Sequence, residues 1–290
     1  MGSEVLHEVR QPELLGALER LQLGTRRRLA GELAGGHRSI RYGSSLDFAD
    51  FREYQDGDDF RRIDHLALAR FDQLLIRLYD AEDDLTVRLV VDTSGSMGYD
   101  GKLQRAAELA AALGFVALTR RDRVEIHVPK NAPIRLAGRS AVNELFERLE
   151  ALSADGSGSL SRTATELLAR QRGAGMTIVI SDLLEEDWSL ALRRFPARGS
   201  ELSVMHVLGS TELRPKSLGD VDLVDLETDE RVPQTLAPTY LAGYHGRLAE
   251  WLEQVEQLCR GLGAGYAMVD AEGRLEDVLF GGLRRSEVVR

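Results

Sequence analysis

Residues 89 to 97 read Leu-Val-Val-Asp-Thr-Ser-Gly-Ser-Met, an apolar run that ends in one acid and a cluster of small hydroxyl side chains. Three chemistries use such residues. A serine nucleophile would sit in a Gly-x-Ser-x-Gly elbow, with an acid and a histidine following in the chain. Here Asp92 stands two places before Ser94 where that elbow has glycine, and His127 and His206 both fall inside predicted strands. A phosphatase of the haloacid-dehalogenase type would use Asp92 as nucleophile and a second acid two residues on as general acid and base. That position is Ser94. A hard divalent cation is the third use. Mg²⁺ takes oxygen ligands in near-octahedral array and keeps several waters, so one carboxylate and two hydroxyls at alternate positions suit it. Asp92, Ser94 and Ser96 have that spacing, and Gly95 lets the loop turn sharply enough for them to converge. A hydrolase using Asp92 remains the enzymatic alternative; a tight turn with no metal is the other.

These residues need a rigid rim to hold them, and the pattern from residue 86 onward supplies one. Strands are predicted at "TVRLVVD", "VEIHVP", "IRLAG", "MTIVISD", "ELSVMHVLG" and "GYAMVD", with helices at "KLQRAAELAAALGFVALTRR", "SAVNELFERLEAL", "LSRTATELLARQR", "EDWSLALRRF" and "LAGYHGRLAEWLEQVEQLCRGLG". Strands alternating with helices of 10 to 20 residues indicate a mainly parallel, doubly wound α/β sheet covered on both faces. The short pair around Val124 to Leu136 supplies an antiparallel edge strand, and "VDLVDLETDERVPQTL" reads as a hairpin. In such a fold ligands sit beyond the carboxyl ends of the strands, and two strands end there in an acid, at Asp92 and just before Asp182. Residues 13 to 34 read as a helix with Leu15, Leu18, Leu21 and Leu23 near one face. A charged segment follows, so the chain is divided into residues 1–84, helical and charged, and residues 85–290, the α/β domain.

A net charge of −10, from 47 acids against 37 Lys and Arg, excludes nucleic acid as the main ligand, because phosphate binding draws on a surplus of cations. The single Cys259 allows no internal disulfide and lies at an apolar helical position, as a buried inert thiol does. The longest apolar stretch, Ala106 to Leu118, has a glutamate inside and falls short of the roughly 20 residues that span a membrane. No membrane insertion and a cytoplasmic location are the expectations.

The acid-hydroxyl loop, Asp182 on a second strand and the hydroxyl-rich stretch between them resemble the metal-ion-dependent adhesion site of von Willebrand factor A domains, over roughly residues 85 to 290. That resemblance implies Ser94 and Ser96 as direct ligands of Mg²⁺, or of Mn²⁺ or Ca²⁺. Asp92 and Asp182 would bind directly or through water, and one position would stay open for a carboxylate of a protein partner. It also calls for a middle-loop hydroxyl. Ser157, Ser159, Thr163 and Thr165 are the residues available, and Ser159 is preferred because the threonines fall inside a predicted helix. "LDFADFREYQDGDDFRRIDHLALAR", then "VVDTSGSM", "VISDLLEED" and "LVDLETDERV", resemble domain of unknown function family 58. These bacterial proteins are related to von Willebrand factor A domains and associated with MoxR-type AAA+ ATPases. The implied role is a non-enzymatic, metal-dependent adaptor in protein assembly or maturation, with a vestigial metal site as the variant of that reading. One departure is His65, where the family usually has tryptophan; a smaller ring filling a packing position is the expectation. For "REYQDGDDFRRID" the expectation is a turn at Gly57 with arginines paired to neighbouring acids, a partner-docking surface being the alternative.

Overall fold

Thr86–Val91 packs valine and leucine into a strand whose side chains are buried on both faces, as the centre of a parallel sheet requires. The computed structural model that contains it describes residues 5–23, 48–54, 63–71, 73–79, 85–154, 156, 159–171, 173, 175–215, 219–224, 231–282 and 288. The chain divides into two compact units, Met1–Leu29 with Leu85–Arg290, and Ala30–Asp84.

The larger unit opens with helix α1 (Pro12–Leu18), which has proline in its first turn. Its sheet holds β3 (Thr86–Val91), β4 (Arg123–His127), β5 (Ile134–Ala137), β6 (Met176–Ser181), β7 (Glu201–Leu208) and β10 (Gly265–Asp270), in the order β10-β7-β6-β3-β4-β5. Every neighbouring pair is parallel except β4 with β5, which is antiparallel at the edge. This is the expected α/β class. Helices α3 (Lys102–Thr119) and α4 (Val142–Glu150) share one apolar core with α1. Helices α5 (Leu160–Arg170), α6 (Trp188–Arg194) and α8 (Pro238–Gly261) form the second core on the opposite face. A short helix α7 (Ser210–Leu213) follows β7, and β8 (Gly219–Val224) pairs with β9 (Arg231–Leu236) as the expected hairpin. Since β3 sends the chain first toward β4 and later toward β6, the strand order reverses between β3 and β6. That crevice is where an open sheet of this kind binds its ligand.

Of the helix expected over residues 13 to 34, residues 24–34 lie outside the described residues, and the described part is short. It stops at Leu18, and the chain turns through Arg20 to place Leu21 and Leu23 in the core, at 7% and 1% exposure. Two residues apart, they reach one side of an extended segment rather than of a helix. Because Leu6, Val9, Leu14, Leu18, Leu21 and Leu23 bury against β3, α3 and α4, the first 29 residues belong to the larger unit.

In the smaller unit, β1 (Phe48–Glu53) pairs antiparallel with β2 (Leu75–Tyr79), strands hidden in the sequence by the density of charge. Between them lies α2 (His65–Phe71), capped by Asp64, whose Oδ1 accepts from the Leu66 and Ala67 amides at 2.8 and 3.2 Å. His65 opens this helix with its side chain exposed, so it fills no packing position. Residues 55–62, where the turn at Gly57 with Arg61 and Arg62 was expected, lie outside the described residues.

The start of β6 depends on a glycine. A Cβ on Gly175 would stand 2.3 Å from the backbone oxygen of Thr86, across the rung that joins β3 and β6. Gly175→Ala is expected to lower the unfolding free energy by about 3 kcal/mol, the upper part of the overpacking range. Urea denaturation reads this directly, and a loss below about 1 kcal/mol contradicts the close approach.

Candidate metal centre

β3 delivers Asp92 to the rim, where its amide makes a last rung with Ile180 O at 3.0 Å. The side chain then builds the loop. Its Oδ1 accepts the Ser94 amide at 2.9 Å, the local bond that lets aspartate replace a backbone turn. The Gly95–Gly98 turn follows, with Met97 fully buried beneath it. The Ser94 and Ser96 hydroxyl oxygens come to 3.1 Å from each other. Asp92, Ser94 and Ser96 are 1%, 4% and 9% exposed, so the loop is largely withdrawn from bulk water.

β6 supplies the facing half. Ser181 Oγ donates to Asp92 Oδ2 at 2.5 Å and accepts the Leu183 amide at 2.9 Å, which ties the two strand ends together. Asp182 is 1% exposed, and Leu183 after it is held at a φ of 54°, a conformation that costs a leucine about 1 kcal/mol or more. Burial pushes the Asp92 carboxyl above its ordinary pKa, the Ser181 bond opposes this, and the charge of Asp182 adds to the rise. Behind Asp182, the fully buried His206 lies 3.0 Å from the Asp182 carbonyl through Nε2 and 3.0 Å from the Tyr266 hydroxyl through Nδ1. A carbonyl only accepts, so Nε2 carries the proton and Tyr266 donates to Nδ1. Burial lowers the pKa of His206 to about 4, which keeps the ring neutral.

Ser159 immediately precedes α5 with extended backbone, and Thr163 and Thr165 turn their hydroxyls onto their own helix, to Ser159 O and Ser161 O. Ser157 lies outside the described residues. Ser159 hydrogen-bonds to Glu185, which also accepts the Leu160 amide at 2.9 and 3.0 Å. The Glu185 carboxyl is pushed up to about 7, chiefly by burial, with the Asp92 charge contributing. Ser159 thus joins the acids through Glu185.

A cation already stands among them. Lys102 in the first turn of α3 is fully buried, with Nζ 2.7 Å from Asp182 Oδ2 and 2.6 Å from Glu212 Oε1. Burial alone would lower its pKa, but the Asp182 charge, the two hydrogen bonds and Glu212 outweigh that and hold it above the ordinary lysine value. Glu212 is itself fixed, its Oε2 accepting the Gly209 amide at 2.7 Å.

Among the described residues no three His, Cys, Asp or Glu side chains converge as a metal cage. The fit to a cation therefore turns on the hydroxyls. Two neighbouring ligands on octahedral Mg²⁺, each about 2.1 Å from it, stand about 3 Å apart. The Ser94 and Ser96 oxygens have that spacing, and Asp92, which holds the Ser94 amide, lies close enough to Asp182 to feel its charge. The donor set fits a hard divalent ion.

The family model described as "Protein of unknown function DUF58" matches residues 50–239. The chain belongs to the DUF58 family. Uncharacterized proteins of Mycobacterium tuberculosis and Mycobacterium bovis are each 28% identical to it over 269 residues, covering 89% of this chain and 84% of the relative. Among solved structures, it is similar to the conserved hypothetical protein BatB from Bacteroides thetaiotaomicron, at 14% identity and a TM-score of 0.41. The overlay covers 70% of this chain and 98% of that one. An aerotolerance-related membrane protein from Bacteroides fragilis gives 13% identity and the same coverage and score. No described helix of this DUF58 chain is long and apolar enough to cross a membrane.

Three residues of this rim were not picked out from sequence: Lys102, Glu185 and Glu212. Lys102 left a signal. A lysine in the first turn of a helix opposes the helix dipole, so it needs an acid nearby. Glu185 is one of three consecutive-looking acids in "LLEED", and spacing does not distinguish the one that turns inward.

Proposed function

We propose that this chain is a non-enzymatic protein-binding module that holds a divalent cation at an adhesion-type site and works beside a MoxR-type AAA+ ATPase in protein assembly or maturation. The observation that carries this is the 3.1 Å pair of hydroxyls, Ser94 and Ser96, on the loop that Asp92 organises, with Asp182 following the adjacent strand. Ser94 and Ser96 would hold Mg²⁺ directly, Asp92 and Asp182 directly or through water, and Ser159 with Glu185 would close the middle loop. Bound there, the ion supplies a positive centre for a carboxylate of the partner. Two large apolar side chains beside the acids, Tyr99 at 46% exposure and Leu184 at 51%, give that partner surface to bury.

The enzymatic alternative has less support. His206 is committed to a carbonyl and a tyrosine, and His127 Nε2 lies 3.2 Å from Glu125. Asp92 has Ser94 where an aspartyl phosphatase needs its second acid.

The ATPase, purified from the same genome, is expected to co-elute with this chain in Mg²⁺ and to separate from it in chelator. Ser94→Ala with Ser96→Ala is expected to weaken the complex at least tenfold. Association indifferent to both chelator and these changes would remove the metal from the mechanism.

A further inference from the structure

Lys102 is an unusual neighbour for a cation site. Its ammonium bonds the same carboxylate, Asp182, that the site offers to the ion, and it is fully buried, so water does not screen it. A fixed positive charge and a divalent ion on one carboxylate repel each other far more strongly at the effective dielectric of a protein site than in bulk water. Glu212 works in the other direction. It takes a second hydrogen bond from Nζ at 2.6 Å and is anchored by the Gly209 amide, so the ammonium is divided between two acids. The site thus contains an internal cation and an acid that draws part of it away.

We infer that Lys102 and Glu212 together set the affinity of this site for divalent cations, Lys102 by competing for Asp182 and Glu212 by diverting Lys102 from it. The inference rests on the reading of Asp92, Ser94, Ser96 and Asp182 as a cation site. It assigns Lys102 and Glu212 as positioning residues that tune the site without touching the ion. With Lys102 in place, the hydroxyls and Asp92 carry most of the attraction. Occupancy then responds strongly to any further negative charge brought to the rim.

The test is calorimetric titration of MnCl₂ and MgCl₂ into the full chain and four variants. Lys102→Met keeps the stem of the side chain and removes the charge; affinity is expected to rise at least tenfold. Glu212→Gln leaves the whole ammonium to Asp182, and affinity is expected to fall about tenfold. Arg170→Met makes the same charge change as Lys102→Met at the exposed far end of α5, roughly 15 Å along the helix from Ser159, and is expected to change nothing. Opposite signs for Lys102→Met and Glu212→Gln are not the result of general damage to the fold. If wild type binds metal, Asp92→Asn abolishes it, and Lys102→Met binds no tighter while folded, the inference is overturned and the site reading stands. If Lys102→Met does not fold, Glu212→Gln decides alone, and binding equal to or tighter than wild type overturns the inference. Binding by none of these proteins overturns both.

Discussion

Asp92→Asn is expected to yield a metal-free protein more stable than wild type and no longer stabilised by Mg²⁺. The two effects have one cause. Asp92 is 1% exposed, and its pKa is raised first by burial and further by the charge of Asp182, against the bond from Ser181. For an acid raised above its unfolded value, the favourable contribution is present below the unfolded pKa and is lost as pH rises through the folded one. Neutral pH lies above the unfolded value, so there the wild type carries a cost for holding this carboxyl in a buried site. Asparagine keeps the oxygen that receives the Ser94 amide and removes that cost. It also removes the negative charge that a divalent ion needs at a site whose other acid, Asp182, is already paired with Lys102. In wild type, Mg²⁺ at 100 times its dissociation constant should add about 2.7 kcal/mol, or roughly 5–10 °C in Tm for a unit of this size. Asp92→Asn should show neither. Thermal melts with Mg²⁺ and with chelator measure both halves, and a metal-free variant less stable than wild type would mean that Asp92 is chiefly a brace for Ser94 and Ser181.

Lys102→Met should do the reverse in the metal-free protein, lowering the unfolding free energy by about 3 kcal/mol, as removal of one partner from a buried ion pair does. Methionine fills the space of the lysine stem, so the loss is chiefly electrostatic: Asp182, 1% exposed, is left without its cation. Glu212 has a side chain 20% exposed and rehydrates more easily. Lys102 is held above its ordinary pKa of 10.5, so its contribution is complete below that pH and is lost only as pH rises through the folded value. A drop measured at pH 7 thus reports the full pair. Saturating Mg²⁺ should restore much of the loss, since the ion supplies the positive charge that Asp182 lacks. Urea denaturation with chelator and with Mg²⁺ gives the comparison. Equal losses in the two would place Lys102 outside the electrostatics of the cation site. In the double variant with Asp182→Asn most of the loss should disappear, because no buried carboxylate then remains uncompensated.

Much of this fold could be read because it is periodic. β3 and β6 are short β-branched runs, α3 and α8 are long apolar-patterned stretches, and the antiparallel edge followed from two strands too close in sequence for a crossover. Where two periods overlap, the reading failed. Leu18, Leu21 and Leu23 satisfy a helical spacing loosely, but Leu21 and Leu23 also satisfy the two-residue spacing of extended chain, and burial against β3 and α3 selects the latter. β1 and β2 were hidden because acids and arginines within Phe48–Glu53 dominate the composition, whereas pairing between strands depends on partners far along the chain.

The chemistry on offer is legible in the chain: an acid, two hydroxyls and a glycine after a buried strand, with a second acid after another. Those residues are close along the chain or placed at strand ends by a repeating pattern, so local rules suffice. Only the tertiary structure decided what surrounds Asp182. Lys102, Glu212 and His206 come from three separate elements, 80, 30 and 24 residues away from it. They meet because β6 is flanked by β3 and β7, so the segments after β3 and β7 and the carboxyl end of β7 itself open onto the rim that holds Asp182. Strand order depends on packing across the whole sheet and is written in no single stretch of sequence.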